Sequence, residues 1–421
     1  MLAERPPLRT EIAAGFTTFL TTAYIVVVNP SILSADGTGI PFAAAMTATV
    51  VTALLATLAM GLYADLPYAL APGMGLNAFF TYSLILGRGV PWQTALGLVF
   101  LSGLLFLAMS VTPARLWIAR AIPTALRAAA AAGIGLFLTF IGLKNAGFVV
   151  ADPITLVKPG PLGVEAVSAL FGGTVAVWLM RRKNPFAFLV SIAAATAAGT
   201  AAGIVSMPTR FVSAPDFSLF GQMDVKGALQ LALIPALLTL TITDLFDSLS
   251  TLLGVAQAAK MIDKDGQPVR LKEALIVDAA ATTFSAIAGT SPATTYIEST
   301  AGVEMGGRTG RTALATAACF LPCLFLAPLA GAIPAFATAP VLILVGSFMF
   351  RGAAQLPREK LEESVPPFLT VILIPLTFSI TQGILWGFLS HAVLFTVAGR
   401  RKEVHPAMWT LAGVSALLLL L

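Results

Sequence analysis

The chain has 421 residues, of which 57% are hydrophobic and only 11% are charged. Soluble domains carry about 25% charged residues, so this composition excludes an ordinary soluble globular protein. The charge is missing from long stretches rather than thinned evenly, and roughly 20 apolar residues in a helix are enough to cross a bilayer. We therefore predict an all-α polytopic membrane protein whose helices span the lipid bilayer.

The apolar stretches predict fourteen transmembrane segments, seven on each side of a polar stretch at 207–228. The first seven lie near 12–34, 42–64, 68–86, 92–112, 123–143, 163–181 and 186–206. The second seven lie near 229–254, 271–289, 290–304, 311–331, 334–350, 366–380 and 382–398. The first run contains Asn29 and Pro30 and leads into further spans, so we expect it to be retained rather than cleaved as a signal peptide. The apolar tail at 407–421 is too short to count as a span and suits the membrane interface.

The basic residues predict the orientation. With the N-terminus in the cytoplasm, the outside segments carry Arg88, Lys144, Lys158, Arg210 and Lys226, and the cytoplasmic segments carry the other 20 of the 25 Lys and Arg residues. This bias is what the positive-inside rule expects. We therefore predict a multi-pass protein of the cell membrane with both termini in the cytoplasm. The same bias explains the net charge of +5 without a nucleic-acid partner.

The two halves of the chain repeat one another. Ala121-Ile122-Pro123 opens the fifth span, and Ala332-Ile333-Pro334 opens the twelfth, 211 positions later. Pro72 interrupts the third span, and Pro292 interrupts the tenth, 220 positions later. Because seven is an odd number, the second repeat must cross the membrane inverted relative to the first. Inverted repeats with broken helices at corresponding positions are typical of secondary transporters, whose sites lie at the breaks.

The breaks predict half-helices in spans three and ten, each next to a short extended strand. Proline removes a backbone donor and glycine weakens a helix, and Pro72, Gly73 and Gly75 occur together. A half-helix that begins near Gly75 would direct its free N–H groups at a ligand. In span ten, the polar run that begins at Thr290 can satisfy the interrupted backbone with its hydroxyl groups.

Carboxylates occur in the apolar spans. Asp244 and Asp247 are three residues apart in span eight and therefore share a helix face, and Glu298 lies in span ten. Placing a carboxylate in hydrocarbon costs at least about 2.5 kcal/mol, so we expect these acids to serve a site or a proton pathway. The alternative for each is an acid partnered at a helix end. Asp278, in span nine, is expected either to bridge helices or to join the pathway. A buried pair such as Asp247 and Glu298 can hold and release a proton near neutral pH.

These residue types narrow the class of ligand. No Lys or Arg lies in spans eight and ten beside the acids, so anions are poor ligands and a planar ligand with N–H donors suits the site. Asn77 offers both a donor and an acceptor, and Phe79, Phe80 or Tyr296 can supply aromatic contact. The residues alone leave amines, amides, nucleobases and cations open. The main alternative is an ion or anion exchanger on the same scaffold. Neither a His/Cys cluster nor a Ser/His pair supports an enzyme, and we expect no metal or cofactor.

Six motifs occur in order along the chain. They are Gly15 to Ile25, Asn29 to Leu33, Ala71 to Phe80, Asp244 to Asp247, Gly289 to Ser299, and Gly306 to Gly310. In these motifs the chain resembles the AzgA-like branch of the nucleobase–cation symporter-2 (xanthine/uracil permease) family, the adenine/guanine/hypoxanthine permeases. The resemblance covers nearly the whole chain. It implies proton-coupled uptake of a purine nucleobase, with Na⁺ left open as the coupling ion.

The resemblance also implies a uracil-permease-like architecture. The first repeat is 1–206, with core spans in 12–112 and gate spans in 123–206. The segment 207–228 is an outside linker. The second repeat is 229–398, with core spans in 229–331 and gate spans in 334–398, and a cytoplasmic or interfacial tail follows at 399–421. The core would carry substrate past the gate in an elevator-like movement, and family members often work as homodimers.

By motif match, Asn77, Asp244 or Asp247, and Glu298 would hold the purine. Related uracil and xanthine branches place a substrate-binding Glu in the eighth span, and Asp247 is favoured over Asp244 for that place here. Ser250 departs from the pattern, since the branch usually has Gly, and would narrow the pocket or alter helix packing. Pro292, Ala293 and Arg311 also depart from it, which leaves the preferred purine open.

Overall fold

The computed structural model describes residues 6–112, 122–262, 267–357 and 359–420. The described chain is mostly helical, as the composition predicts. Some residues that we assign to the cytoplasmic side from sequence lie outside this described part, as does Ala121 of the repeated tripeptide. They are Arg5, Arg115, Arg120, Lys264 and Arg358.

Within the described residues, the first half contains eight α-helices. They are α1 (Leu8–Thr22), α2 (Ile25–Leu33), α3 (Phe42–Ala59), α4 (Met74–Ala78), α5 (Trp92–Val111), α6 (Thr124–Asn145), α7 (Val164–Arg181) and α8 (Ala187–Ala201). Two of them continue as π-helix, α3 over Met60–Ala64 and α4 over Phe79–Leu86. Strand β1 (Leu70–Pro72) precedes α4, and β2 (Val149–Asp152) and β3 (Leu156–Pro159) form a hairpin between α6 and α7.

In the part of the second half that the structure describes, there are ten α-helices. They are α9 (Val225–Ala228), α10 (Ile234–Ala259), α11 (Leu271–Ala288), α12 (Ser299–Glu304), α13 (Gly310–Phe320), α14 (Ala327–Gly331), α15 (Ala335–Phe350), α16 (Leu361–Thr377), α17 (Ile380–Val397) and α18 (Pro406–Leu420). Short 3₁₀ turns lie at Leu231–Leu233, Leu321–Phe325, Arg351–Gln355 and Arg401–Glu403. Strand β4 (Ala293–Thr295) precedes α12.

Eight helical stretches within the described residues are long and apolar enough to cross a membrane. They are Leu8–Leu33, Phe42–Ala64, Trp92–Val111, Thr124–Asn145, Val164–Arg181, Leu231–Ala259, Ala335–Ala354 and Ile380–Val397. Shorter apolar helices occupy Met74–Leu86, Ala187–Ala201, Gly310–Phe325 and Pro406–Leu419. The polytopic all-α class is therefore confirmed, while the count of fourteen spans stays a prediction.

The thirteenth span differs from the predicted 366–380, because its helix α16 covers Leu361–Thr377. The acidic first turn of this helix is stabilised by Arg400, whose guanidinium lies 2.8 Å from Glu362 and 2.6 Å from Glu363. Hydropathy alone cannot recognise a charged turn that is paired with a distant residue. The helix ends at Phe378, which adopts a left-handed backbone conformation with φ 51°.

The two broken spans meet at their breaks, which confirms the predicted half-helices with short strands. Strands β1 and β4 pair antiparallel, with Pro72 opposite Ala293 and Leu70 opposite Thr295. Both N–H and C=O of Leu70 also lie 3.0 Å from the hydroxyl of Thr57. The extended backbone is thus paired with backbone and hydroxyl groups, as a non-helical segment at membrane depth requires.

Helices α6 and α15 pack closely at positions that the repeat makes equivalent. Gly346 follows Gly135 by 211 positions, the same offset as the repeated Ala-Ile-Pro tripeptides. A Cβ on Gly135 would lie 2.5 Å from the carbonyl oxygen of Gly346, and a Cβ on Gly346 would lie 2.4 Å from that of Gly135. The backbones therefore touch where each repeat supplies glycine, which agrees with the inverted-repeat organisation.

Candidate functional site

A cavity lies between the half-helix α4 and helix α10 on one side and helices α6, α15, α16 and α17 on the other. It contains about 680 Å³ of empty space, including its open mouth. Gly75 and Leu76 contribute to one side, and Phe246 and Phe388 contribute to others. Among the described lining residues, Asp247 is the one carboxylate.

Asp244 and Asp247 lie on one helix but have different surroundings. Asp244 is completely buried, and its carboxylate accepts a hydrogen bond of 2.7 Å from the hydroxyl of Thr282 on α11. The same hydroxyl lies 2.9 Å from the carbonyl oxygen of Ala293, which ties Asp244 to β4. Asp247 is half-buried and lines the cavity. Of the two candidate acids, only Asp247 reaches the cavity wall.

Asp278 bridges three elements, which confirms the bridging role considered from the sequence. Its carboxylate is completely buried on α11 and accepts hydrogen bonds from Ser248 on α10 and from Thr295 on β4, the latter at 3.0 Å. Hydroxyl groups therefore satisfy this carboxylate, as a buried polar group requires. The acid holds the broken tenth span against the helix that carries Asp247.

Glu298 lies at the N-terminal end of α12, half-buried, and faces the interruption between α1 and α2. The hydroxyl of Tyr24 donates a hydrogen bond of 2.7 Å to its carboxylate. Glu298 and Asp247 are close enough for their charges to interact, although Glu298 is not among the described lining residues. The structure therefore brings the predicted acid pair into one neighbourhood and places one member on the cavity wall.

Asn77 is completely buried behind the cavity and connects the first broken span to α2. Its amide donates a hydrogen bond of 2.9 Å to Asn29 Oδ1. The amide of Asn29 in turn donates to Thr49 at 2.7 Å and to Thr290 at 2.9 Å. The Oδ1 atom of Asn77 has no donor among the described residues. Its predicted role as a purine ligand stays a prediction, whereas the Asn29 motif now has a structural role.

The aromatic candidates Phe79 and Tyr296 are both buried, at 1% and 4% exposure, and neither lines the cavity. Phe79 packs in the main hydrophobic core. The hydroxyl of Tyr296 donates a hydrogen bond of 2.5 Å to the carbonyl oxygen of Pro72. This bond links the two broken spans across the strand pair. The predicted roles of Phe79 and Tyr296 as substrate contacts stay predictions, and the aromatic residues that line the cavity are Phe246 and Phe388.

We predict that Tyr296→Phe lowers the free energy of unfolding without changing substrate affinity. The substitution keeps the ring and leaves the buried carbonyl of Pro72 without its donor, which costs about 1–3 kcal/mol. Thermal unfolding of the detergent-purified protein should fall by a few degrees, while the KM for substrate stays within about twofold. A large rise in KM at unchanged stability would show that the Tyr296 hydroxyl contacts the ligand instead.

Arg127 is a cavity residue that reasoning from sequence assigned only to the cytoplasmic charge bias. It lies in the first turns of α6, lines the cavity, and places its guanidinium carbon 5.7 Å from the centroid of the Phe246 ring. Spans eight and ten contain no basic residue beside the acids, as the sequence shows, but helix α6 brings Arg127 to the same cavity. The sequence signal that could have identified Arg127 as a cavity residue is its position one turn inside the predicted span 123–143.

Thr243 and Ser250 also line the cavity on either side of Asp247 along α10. Ser250 is one of the positions at which the chain departs from the pattern of the resembled family. Ser250 lies at the cavity wall, where a glycine would leave more space. This position is compatible with the predicted narrowing of the pocket, which stays a prediction. Thr243 was not singled out from sequence because a threonine in a membrane helix usually bonds its own helix backbone.

Comparison with known proteins identifies the family. The permease family model Xan_ur_permease matches residues 9–385. The adenine permease AdeP of Escherichia coli K12 is 41% identical over 403 residues, covering 95% of this chain and 90% of the relative. The guanine/hypoxanthine permease PbuO of Bacillus subtilis is 38% identical over 418 residues, covering 96% and 95%. These relatives are permeases and not enzymes.

A solved structure supports the fold assignment. The transmembrane domain of the cyanobacterial bicarbonate transporter BicA superposes with a TM-score of 0.63 at 17% identity, covering 90% of this chain and 97% of that domain. At this identity the likeness concerns the fold alone, and it agrees with the inverted-repeat class. Because the family model and both relatives span nearly the whole sequence, the chain belongs to the xanthine/uracil permease family.

Proposed function

We propose that this protein takes up purine nucleobases across the cell membrane together with protons. The observation that supports this most is one carboxylate, Asp247, on the wall of an otherwise largely apolar cavity, in a chain whose relatives are named adenine and guanine/hypoxanthine permeases. A purine is a flat apolar ring with N–H groups at its edge. The aromatic rings of Phe246 and Phe388 suit its faces, and Asp247 suits its N–H donors.

The binding energy expected from such a site is adequate for a permease. A hydrogen bond to a charged group contributes about 1.5–3 kcal/mol. Two or three such bonds together with aromatic contact would approach the roughly 8 kcal/mol that corresponds to micromolar binding. In this proposal Asp247 contacts the base directly. Asn77 and Glu298 would act from the layer behind the wall, and Phe79 and Tyr296 would support the broken spans that carry it.

We propose that the proton is carried by carboxylates, with Asp247 and Glu298 as the pair and Asp244 behind them. In this proposal the two carboxyl groups share one proton, because protonation of one of two neighbouring carboxylates favours ionisation of the other. His391 is a poor carrier because it lies on α17, beside Phe395 at 4.2 Å between ring centroids, and outside the described cavity lining. An acid exterior would therefore load the site with a proton and drive uptake inward.

The position of the cavity suits an elevator-like movement. The proposed core spans, 12–112 and 229–331, supply α4 and α10 to the cavity, and the proposed gate spans, 123–206 and 334–398, supply α6 and α15 to α17. These groups approach one another closely at Gly75, where a Cβ would lie 2.6 Å from the Ile134 side chain. A glycine at this contact leaves a smooth surface along which the core can slide. A homodimer that anchors the gate would complete this arrangement.

The test of this function is competitive uptake in cells that lack their own purine transport. Uptake of labelled hypoxanthine should be saturable, blocked by other purine bases and unaffected by uracil. It should rise when the medium is made more acidic, and a sodium-free medium would separate Na⁺ coupling from proton coupling. Bicarbonate should not compete. An absence of saturable uptake of any purine would contradict the proposal, and competition by bicarbonate alone would favour the anion exchanger.

A further inference from the structure

Two hydrogen-bond donors on the cavity wall have no acceptor among the described residues. They are Nε of Arg127 and the hydroxyl of Thr243, and both atoms are buried. Thr243 as a residue is only 7% exposed. Both residues line the same cavity as Asp247. Because buried polar atoms in proteins are almost always paired, these two donors are available to acceptors on a ligand in the cavity.

The three groups are arranged around one space. Thr243 and Asp247 are four residues apart on α10 and therefore lie on the same helix face. Arg127 approaches from α6, with its guanidinium against the Phe246 ring and one terminal nitrogen donating a hydrogen bond of 3.1 Å to Thr124. No described carboxylate lies within ion-pair distance of Arg127. Its remaining donors are thus not consumed by a salt bridge.

The edges of the purine ring distinguish between ligands at such a site. Hypoxanthine and guanine present two neighbouring acceptors, O6 and N7, on one edge and an N1–H donor beside them. A guanidinium matches O6 and N7 with two parallel hydrogen bonds, which is the commonest specific contact to guanine in nucleic-acid recognition. Adenine carries an amino donor in place of O6, so that two donors would face one another at Arg127.

We propose that Arg127, assisted by Thr243, makes the cavity selective for 6-oxopurines over adenine. Asp247 accepts from N1–H, and Arg127 donates to O6 and N7. This inference rests on the proposed function and specifies its substrate class, which the names of the relatives leave open because they include both adenine and guanine/hypoxanthine permeases. Arg127 is a specificity-determining residue in this account.

The test compares uptake of hypoxanthine and adenine by the wild type, Arg127→Met and Arg127→Lys. Loss of hydrogen bonds to a charged donor should raise the KM for hypoxanthine about 10- to 100-fold, while inhibition by adenine changes little. Lysine keeps the charge but lacks the planar fork, so Arg127→Lys should be intermediate. The matched control is Arg351→Met, since Arg351 also stacks on a phenylalanine, Phe348 at 4.8 Å, but is absent from the described cavity lining.

The outcomes separate this inference from the function on which it rests. Equal changes for hypoxanthine and adenine, or none, in Arg127→Met would overturn the selectivity role while leaving purine transport intact. If the Arg127 variants fail to reach the membrane, the test is competition for uptake by the wild type. Hypoxanthine should inhibit this uptake at concentrations at least about tenfold lower than adenine or unsubstituted purine. Equal competition would overturn the inference, and an absence of purine uptake by the wild type would overturn the proposed function.

Discussion

Asp247→Asn should reduce purine uptake at least about 100-fold while the protein still folds and reaches the membrane. Asparagine has almost the same size and keeps one acceptor oxygen, but it carries no charge, replaces the second oxygen with an amide donor and cannot bind a proton. The lost interaction with a charged acceptor and the new opposition of donors together account for this magnitude. Because Asp247 is half-buried and lacks an ion pair with any described residue, its neutralisation should not destabilise the fold.

The control for this variant is Asp36→Asn, which neutralises an exposed acid in the loop between α2 and α3. It should transport like the wild type. Initial rates of labelled hypoxanthine uptake, corrected for the amount of protein in the membrane, provide the measurement. Uptake by Asp247→Asn with an unchanged KM and rate would remove Asp247 from the site.

Glu298→Gln should abolish uptake that is driven by a proton gradient. Glutamine keeps an oxygen that can accept the hydrogen bond from Tyr24, so the contact between α12 and the break after α1 survives. What is lost is the group that exchanges a proton with the site. Glu304→Gln is the matched control, because Glu304 lies exposed on the same short helix α12. A Glu298→Gln protein that accumulates hypoxanthine from an acid medium as the wild type does would exclude Glu298 from coupling.

Features that depend on local composition could be predicted from the sequence. Long apolar runs specify membrane helices because lipid leaves no other partner for the backbone. Proline and glycine at 72–75 and the hydroxyl-rich run after Thr290 identified both broken spans, and strands and half-helices lie there. Asp247 was identified because an acid in hydrocarbon is costly, and it lies on the cavity wall.

What the sequence could not reveal depends on contacts between distant segments. Asp244 and Asp247 look equivalent by spacing, and only the packing of α11 against α10 separates them. From sequence, Tyr296 is an aromatic candidate for ligand contact. The structure adds that its hydroxyl donates a hydrogen bond to the carbonyl oxygen of Pro72 across the strand pair. From sequence, Arg127 is one of the basic residues at the cytoplasmic boundary. In the structure its guanidinium lies over the ring of Phe246. In each case the deciding partner is more than 30 residues away along the chain.

The most direct test of the account is uptake by the purified protein in proteoliposomes with an imposed pH gradient. With an acid exterior and no sodium, labelled hypoxanthine should accumulate inside above its external concentration, and a protonophore should collapse the gradient and release it. Equal uptake with and without the pH gradient would contradict proton coupling. An absence of any saturable hypoxanthine, guanine or adenine uptake by the folded protein would contradict the claim that it transports purines.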